Sequence, residues 1–145
     1  MRISMRTDYG LRAMLDLAQQ YGRGPMASAD IAARQNIPQP YLDQLLIALR
    51  TAGFVRSARG PQGGHILATP PDEIKVSDVV TALEGCLSLA VCVEEADTCS
   101  IASDCALRGI WRKVFDATVS VLSSVSIGDL ARTHRRKAAD GMYYI

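Results

Sequence analysis

The sequence predicts a mainly α-helical fold with a small β-hairpin wing: a winged helix-turn-helix followed by a long C-terminal dimerisation helix. Three observations predict it. Two short amphipathic segments meet at Asn36 and Pro38, a glycine-rich tip separates short apolar runs at 54–56 and 66–67, and apolar residues recur every three or four positions from Leu107 onward.

The first helix is expected over residues 8–21. Leu11, Met14, Leu15 and Ala18 share one face, Arg12, Asp16, Gln19 and Gln20 the other, and Gly22, Gly24 and Pro25 stop it. Ser28 reads as the N-cap of a second helix ending near Gln35. Pro40 then suits a first helical position, and Leu42, Leu45, Leu46 and Leu49 form the apolar stripe of a third helix that Gly53 terminates. Phe54 to Arg56 and Ile66 to Leu67 read as the two sides of a hairpin, with Ala58 to Gly64 as its tip. Further on, Leu107, Trp111, Val114, Thr118, Val121 and Val125 alternate spacings of four and three. That is the seam of a helix packing along a partner helix, capped by Ser103 or Asp104 and roughly 22 residues, or about 33 Å, long. Phe115 and Leu122, beside the seam, are expected to pack on the chain's own first domain.

The expected organisation is a DNA-binding unit over 1–71, a connecting helix and cysteine-bearing loop over 72–106, the dimerisation helix and a short terminal helix over 107–133, and a disordered tail over 134–145. Charge follows the same division. Residues 1–71 hold eight arginines, no lysine and four aspartates, a net +4; residues 72–107 hold one lysine against eight acids, a net −7. A basic N-terminal half suits a polyanion partner, here double-stranded DNA read as a pseudo-palindrome by a homodimer. The third helix would enter the major groove, and the wing would bring Arg59 to the backbone or the minor groove. The candidate DNA-facing residues are Arg2, Ser28, Gln39, Tyr41, Asp43, Gln44, Arg50, Arg59, Gly60, Gln62 and Gly63. Tyr41 fits a core or staple aromatic as well as a phosphate contact.

The acidic middle carries Cys92, Cys99 and Cys105 in one short stretch. A chain of 145 residues buries a core without disulfides, so thiols at this density point to a zinc or iron-sulfur ligand set. No apolar run reaches the roughly 18 residues of a membrane span and no export signal precedes the first helix, which places the chain in the reducing cytoplasm. Only His65, on the wing's return strand, and His134 are histidines, and no nucleophile-base pair or phosphate loop is evident, so an enzyme is not expected.

The opening Met1-Arg2-Ile3, the segment Gln39 to Leu45, the wing Arg59 to Gly64, Leu83-Glu84-Gly85, the three cysteines and Trp111 together resemble the IscR and NsrR type of bacterial iron-sulfur transcription regulators, over residues 1–133. The resemblance implies a homodimeric winged-helix repressor or regulator whose promoter affinity responds to iron, cluster supply, oxygen or nitric oxide. It implies Cys92, Cys99 and Cys105 as cluster ligands. IscR-type members have a histidine three positions after the last cysteine, where this chain has Arg108. NsrR-type members use a first-helix aspartate from the other subunit, and Asp8 stands at the matching position, which favours a 4Fe-4S over a 2Fe-2S centre. Asp8 equally suits a helix N-cap. Cys86, where similar sequences have proline, reads as a buried or spare thiol. The alternatives are a winged-helix regulator with a structural zinc or a thiol/disulfide switch, and a cluster carrier or protein-interaction module on the same fold.

Overall fold

The structure is a computed structural model, and it describes residues 2–95, 99–101 and 104–142. The element order is α1 (Met5–Gln19), α2 (Ser28–Gln35), α3 (Gln39–Thr51), β1 (Val55–Ala58), β2 (Gly64–Leu67), α4 (Val76–Glu84), α5 (Ala106–Ser123) and α6 (Ile127–Met142), with single 3-10 turns at Pro71–Glu73 and Val91–Val93. The expected class is therefore what the chain adopts: a helical body with one antiparallel hairpin, Val55 opposite Leu67 and Ala58 opposite Gly64.

Helix α1 begins three residues before the expected start, because Ser4 caps it by accepting a hydrogen bond from the Thr7 amide at 3.2 Å. Asp8 is consequently not the cap; it sits in the first turn, where its charge favours the helix dipole. Asp16, assigned by periodicity to the polar face, is 4% exposed and meets the Arg34 guanidinium through both carboxylate oxygens at 3.0–3.2 Å. The apolar stripe thus contains a charge that α2 neutralises, joining α1 to α2. Gly10 lets α1 lie directly on α4: a Cβ there would stand 2.2 Å from Leu83 Cδ1.

Helices α2 and α3 form the helix-turn-helix. Ala27, not Ser28, is the N-cap of α2, and Asn36 ends it in the left-handed conformation, turning the chain into α3. Pro38 precedes α3, and Pro40 falls in its first turn. Leu42, Leu45, Leu46 and Leu49 are all buried, as their spacing predicts, against Met14, Leu17, Ile31, Val55, Val79 and Ile127. The hairpin gains a short third side that local patterning did not reveal, a bridge between Met26 and His65. Its backbone bonds are 3.0 and 2.8 Å long.

The C-terminal part differs more from expectation. Cys105 is the N-cap residue of α5 and no side chain caps that helix; Asp104 does not, and Ser103 lies outside the described residues. Helix α5 spans 18 residues, about 27 Å. Val125, expected at the end of the seam, falls in the turn after it and packs on the core, its carbonyl accepting from the Val76 amide at 3.0 Å. Ser126 and Asp129 then open α6 as a reciprocal cap, with Ser126 N to Asp129 Oδ2 at 2.9 Å and Asp129 N to Ser126 Oγ at 3.0 Å. This helix continues to Met142, so the expected disordered tail is helical as far as the structure describes it.

Candidate functional site

Two groups of candidate residues lie on different parts of the molecule, and α1 connects them. The first group is the exposed side of α3 with the wing. Gln39 and Gln44 are exposed and Asp43 is half-buried; Gln39 Nε2 lies 3.5 Å from Ser28 Oγ, which brings the α2 and α3 N-terminal ends together. Arg50 Nη1 donates to Ser57 Oγ at 3.2 Å and so spans from α3 to β1. Arg59 and Gln62 are exposed at the tip, where Gly63 N bonds Gly60 O at 2.9 Å and Gly60 holds a φ of +112°. A narrow turn carrying an arginine and flanked by glycines can approach a duplex backbone closely. Tyr41 is 40% exposed, and its ring meets Tyr9 edge-to-face at 5.8 Å. Arg2 is not part of this face. It lines a cleft with Glu84, Cys86 and Thr118, on the cysteine-loop side.

The second group is the cysteine loop. Cys92 lies in the Val91–Val93 turn, Cys99 in the loop and Cys105 at the start of α5; all three are free and half-buried. Cys86, expected as buried or spare, is free and exposed, with its sulfur accepting from the Ser88 amide at 3.0 Å. Arg108, the residue that departs from the IscR-type pattern, donates from Nε to the Cys92 carbonyl at 2.9 Å, and Arg112 donates to the Val93 carbonyl at 2.6 Å. These two arginines fasten the first part of the loop onto α5. Among the described residues no group of three or more His, Cys, Asp or Glu is arranged to hold a metal ion. The set fits a thiolate-held group in donor chemistry, with soft, free, partly shielded sulfurs.

Between the two groups runs a chain of contacts that sequence reading did not identify. Glu84, at the end of α4 and two residues before Cys86, accepts from Ser4 Oγ and Thr7 Oγ1, each at 2.5 Å, and from Ser4 N at 3.3 Å. The Ser4 hydroxyl first, then the Thr7 hydroxyl, lower the Glu84 carboxyl below its usual value, against a small opposing cost of burial. Arg6 Nε adds a bond to the Leu83 carbonyl at 3.2 Å. From this latch α1 carries Asp8, paired with Arg12 at 3.5 Å; Arg12 also bonds the Gln35 carbonyl at the end of α2 and stacks 5.4 Å from the Tyr9 ring centroid. Tyr9 in turn meets Tyr41 on α3. The only sequence signal for this path was the Asp8, Arg12 spacing of four.

Helix α5 has no buried residue within the chain. Phe115 and Val119 line a cleft with Thr81 and Leu87 on the α4 side, and Leu122 packs on the core, as expected for the residues beside the seam. Thr118 lines the Cys86 cleft and does not face outward. The exposed apolar stripe is Leu107, Ile110 and Val121, with half-buried Val114 between them; Ile110 was not in the expected seam. Half-buried Trp111 lies beside it.

The family model "Rrf2: Iron-dependent Transcriptional regulator" matches residues 3–133. The chain belongs to the Rrf2 family. Its likeness extends over whole proteins: the transcriptional regulator CymR of Bacillus subtilis is 37% identical over 145 residues, covering 100% of both chains. The transcriptional regulator IscR of Aliivibrio salmonicida is 37% identical over 130 residues, 90% of this chain and 77% of its own. A solved structure of B. subtilis CymR, described as its global cysteine regulator, superposes with a TM-score of 0.77 over 92% of this chain and 98% of that one. This Rrf2 protein is accordingly a transcription regulator with a winged helix-turn-helix, and its relatives are regulators, not enzymes. Among the described residues no helix is long and apolar enough to cross a membrane.

Proposed function

We propose that this Rrf2 protein is a homodimeric promoter-binding regulator whose DNA affinity is set by an iron-sulfur cluster on Cys92, Cys99 and Cys105, with Asp8 of the partner subunit as fourth ligand and a 4Fe-4S centre favoured. The observation that carries it is the triplet of free, half-buried thiols on a loop whose ends are joined to α4 and α5. When bound, such a group supplies an oxidisable and exchangeable iron-thiolate centre. The chain's own residues do the rest. Glu84 holds the α4 end to α1, and Asp8, Arg12, Tyr9 and Tyr41 transmit the position of α1 to the helix-turn-helix. A carboxylate is a harder and more weakly held iron ligand than a thiolate, so an exchange of Asp8 between a metal and Arg12 gives two arrangements of α1.

A second reading is supported by the equal likeness to CymR, 37% identical over the whole chain. In it, the same thiols act as a zinc site or as a redox pair without a cluster. Iron, acid-labile sulfide and zinc per chain, measured on protein purified without oxygen together with duplex affinity before and after metal removal, distinguish them. Iron and sulfide in near-equal amounts, with affinity that changes on their removal, is the expected result. Zinc alone, or metal-free protein whose affinity follows thiol oxidation, establishes the second reading.

A further inference from the structure

His65 occupies an unusual place. It lies in β2 opposite Ser57 and holds Met26 through two backbone bonds, so it is the one residue where all three sides of the wing's root meet. Its Nδ1 is buried and, among the described residues, is the only buried side-chain nitrogen or oxygen with no hydrogen-bond partner. A buried ring nitrogen with no partner is a place where a change in the surrounding charge shifts the balance between neutral and protonated imidazole.

The surroundings indicate which partner. Alternation along the hairpin puts His65 and Ser57 on the side where Arg50 of α3 reaches Ser57 Oγ, and puts Arg56 and Ile66 on the other. Arg50 and Asp43, both on α3, are the charges that act on the ring. On the elements behind it, Asp16 and Arg34 are closed on each other. Burial first, then Arg50, hold the imidazole below its ordinary value, while Asp43 pulls it back up, so the ring is neutral at pH 7 in the free protein. A duplex contacted by both α3 and Arg59 lies across Asp43, Arg50 and the wing, and its phosphates add negative charge around the ring.

We infer that His65 is a positioning residue of the DNA interface: it joins the wing root to Met26 within the field of Asp43 and Arg50 of α3, and gains a proton when a duplex lies across α3 and the wing. This rests on DNA binding by α3 and the wing, as proposed above, and not on the cluster. By linkage, a proton taken up on binding makes binding tighter as pH falls, and the added duplex raises the ring's own proton affinity.

The test is duplex affinity of the intact protein for a promoter fragment between pH 7.5 and 6.0 at constant salt, for wild type and His65→Gln, alongside NMR titration of the imidazole signals with and without duplex. Only two histidines exist, so His65→Gln assigns them. Expected is a several-fold tightening for wild type across that range, a flat profile for His65→Gln, and a ring that titrates at higher pH once duplex is added. Equal slopes in the two proteins, or a ring unmoved by duplex, overturn the inference. Should His65→Gln fail to fold, His134→Gln, at an exposed position of α6, assigns the signals and the ring titration decides alone. No duplex binding by wild type at any pH would instead refute the interface itself, a distinct failure.

Discussion

At the scale of single residues, the most consequential contacts are short polar ones that tie helix ends together. Glu84 is the clearest case, because one carboxylate receives Ser4 and Thr7 at the opening of α1 while standing two residues from the cysteine-loop side. Glu84→Ala is expected to leave thiolate attachment of any metal intact but weaken the dependence of DNA affinity on metal state; affinity still fully metal-dependent in that variant refutes the latch. Asp8→Ala separates two roles in the same way. It removes the Arg12 pair without touching the Ser4 cap, so a fall in cluster-dependent DNA response with little change in melting temperature is expected, and an unchanged response argues against Asp8 as ligand. Asp129 offers a pH prediction. The Ser126 amide, then Arg132 and the Ser126 hydroxyl, pull its carboxyl down to about 2. A lowered carboxyl contributes stability that is present above the ordinary carboxylate value and lost as pH falls through about 2. Asp129→Asn should therefore melt lower than wild type at neutral pH, with the difference closing in acid melts near pH 2.

At the scale of elements, α3 and α5 present opposite problems. Helix α3 is anchored by four leucines that are 2% exposed or less, so its outer face is held rigidly; Leu49→Ala is expected to cost about 2–5 kcal/mol in denaturant unfolding. Helix α5 has no fully buried residue in its own chain and exposes Leu107, Ile110 and Val121 along one side. An 18-residue helix with an uncovered apolar stripe is marginal alone in water, which is the physical argument for a second copy covering it. Replacing Ile110 and Val121 together by Glu should yield a monomer by sedimentation, with the helix-turn-helix still folded because neither residue contributes to its core. Dimeric behaviour in that variant would place the interface elsewhere.

At the scale of the whole molecule, α1 contacts α2, α3 and α4, and so lies between the helix-turn-helix and the helix that leads to the cysteine loop. Under the proposed function, a signal from the loop reaches the duplex as a shift of α1. The basic N-terminal half predicts strongly salt-dependent duplex binding, and Arg59→Ala should lower the log-log salt slope by about 1 if the wing meets a phosphate. An unchanged slope would leave Arg59 outside the interface.

The sequence by itself determined the helical class, the helix-turn-helix and the hairpin, because those follow from local patterns: the leucine stripe of α3, the turn at Asn36, the glycines of the wing. It also marked out the cysteine loop, since thiol density is legible without geometry. Only the tertiary structure decided that Ser4 rather than Asp8 caps α1, that Asp16 is buried against Arg34, that Val125 and Thr118 leave the outer seam and Ile110 joins it, and that Arg108 holds the cysteine loop. The Ser4 cap is local, made to Thr7 three residues on, while the others depend on packing between distant parts of the chain. Periodicity tells which residues share a face, but what that face meets, and so whether a charge is paired or a stripe is covered, is set by packing between distant segments.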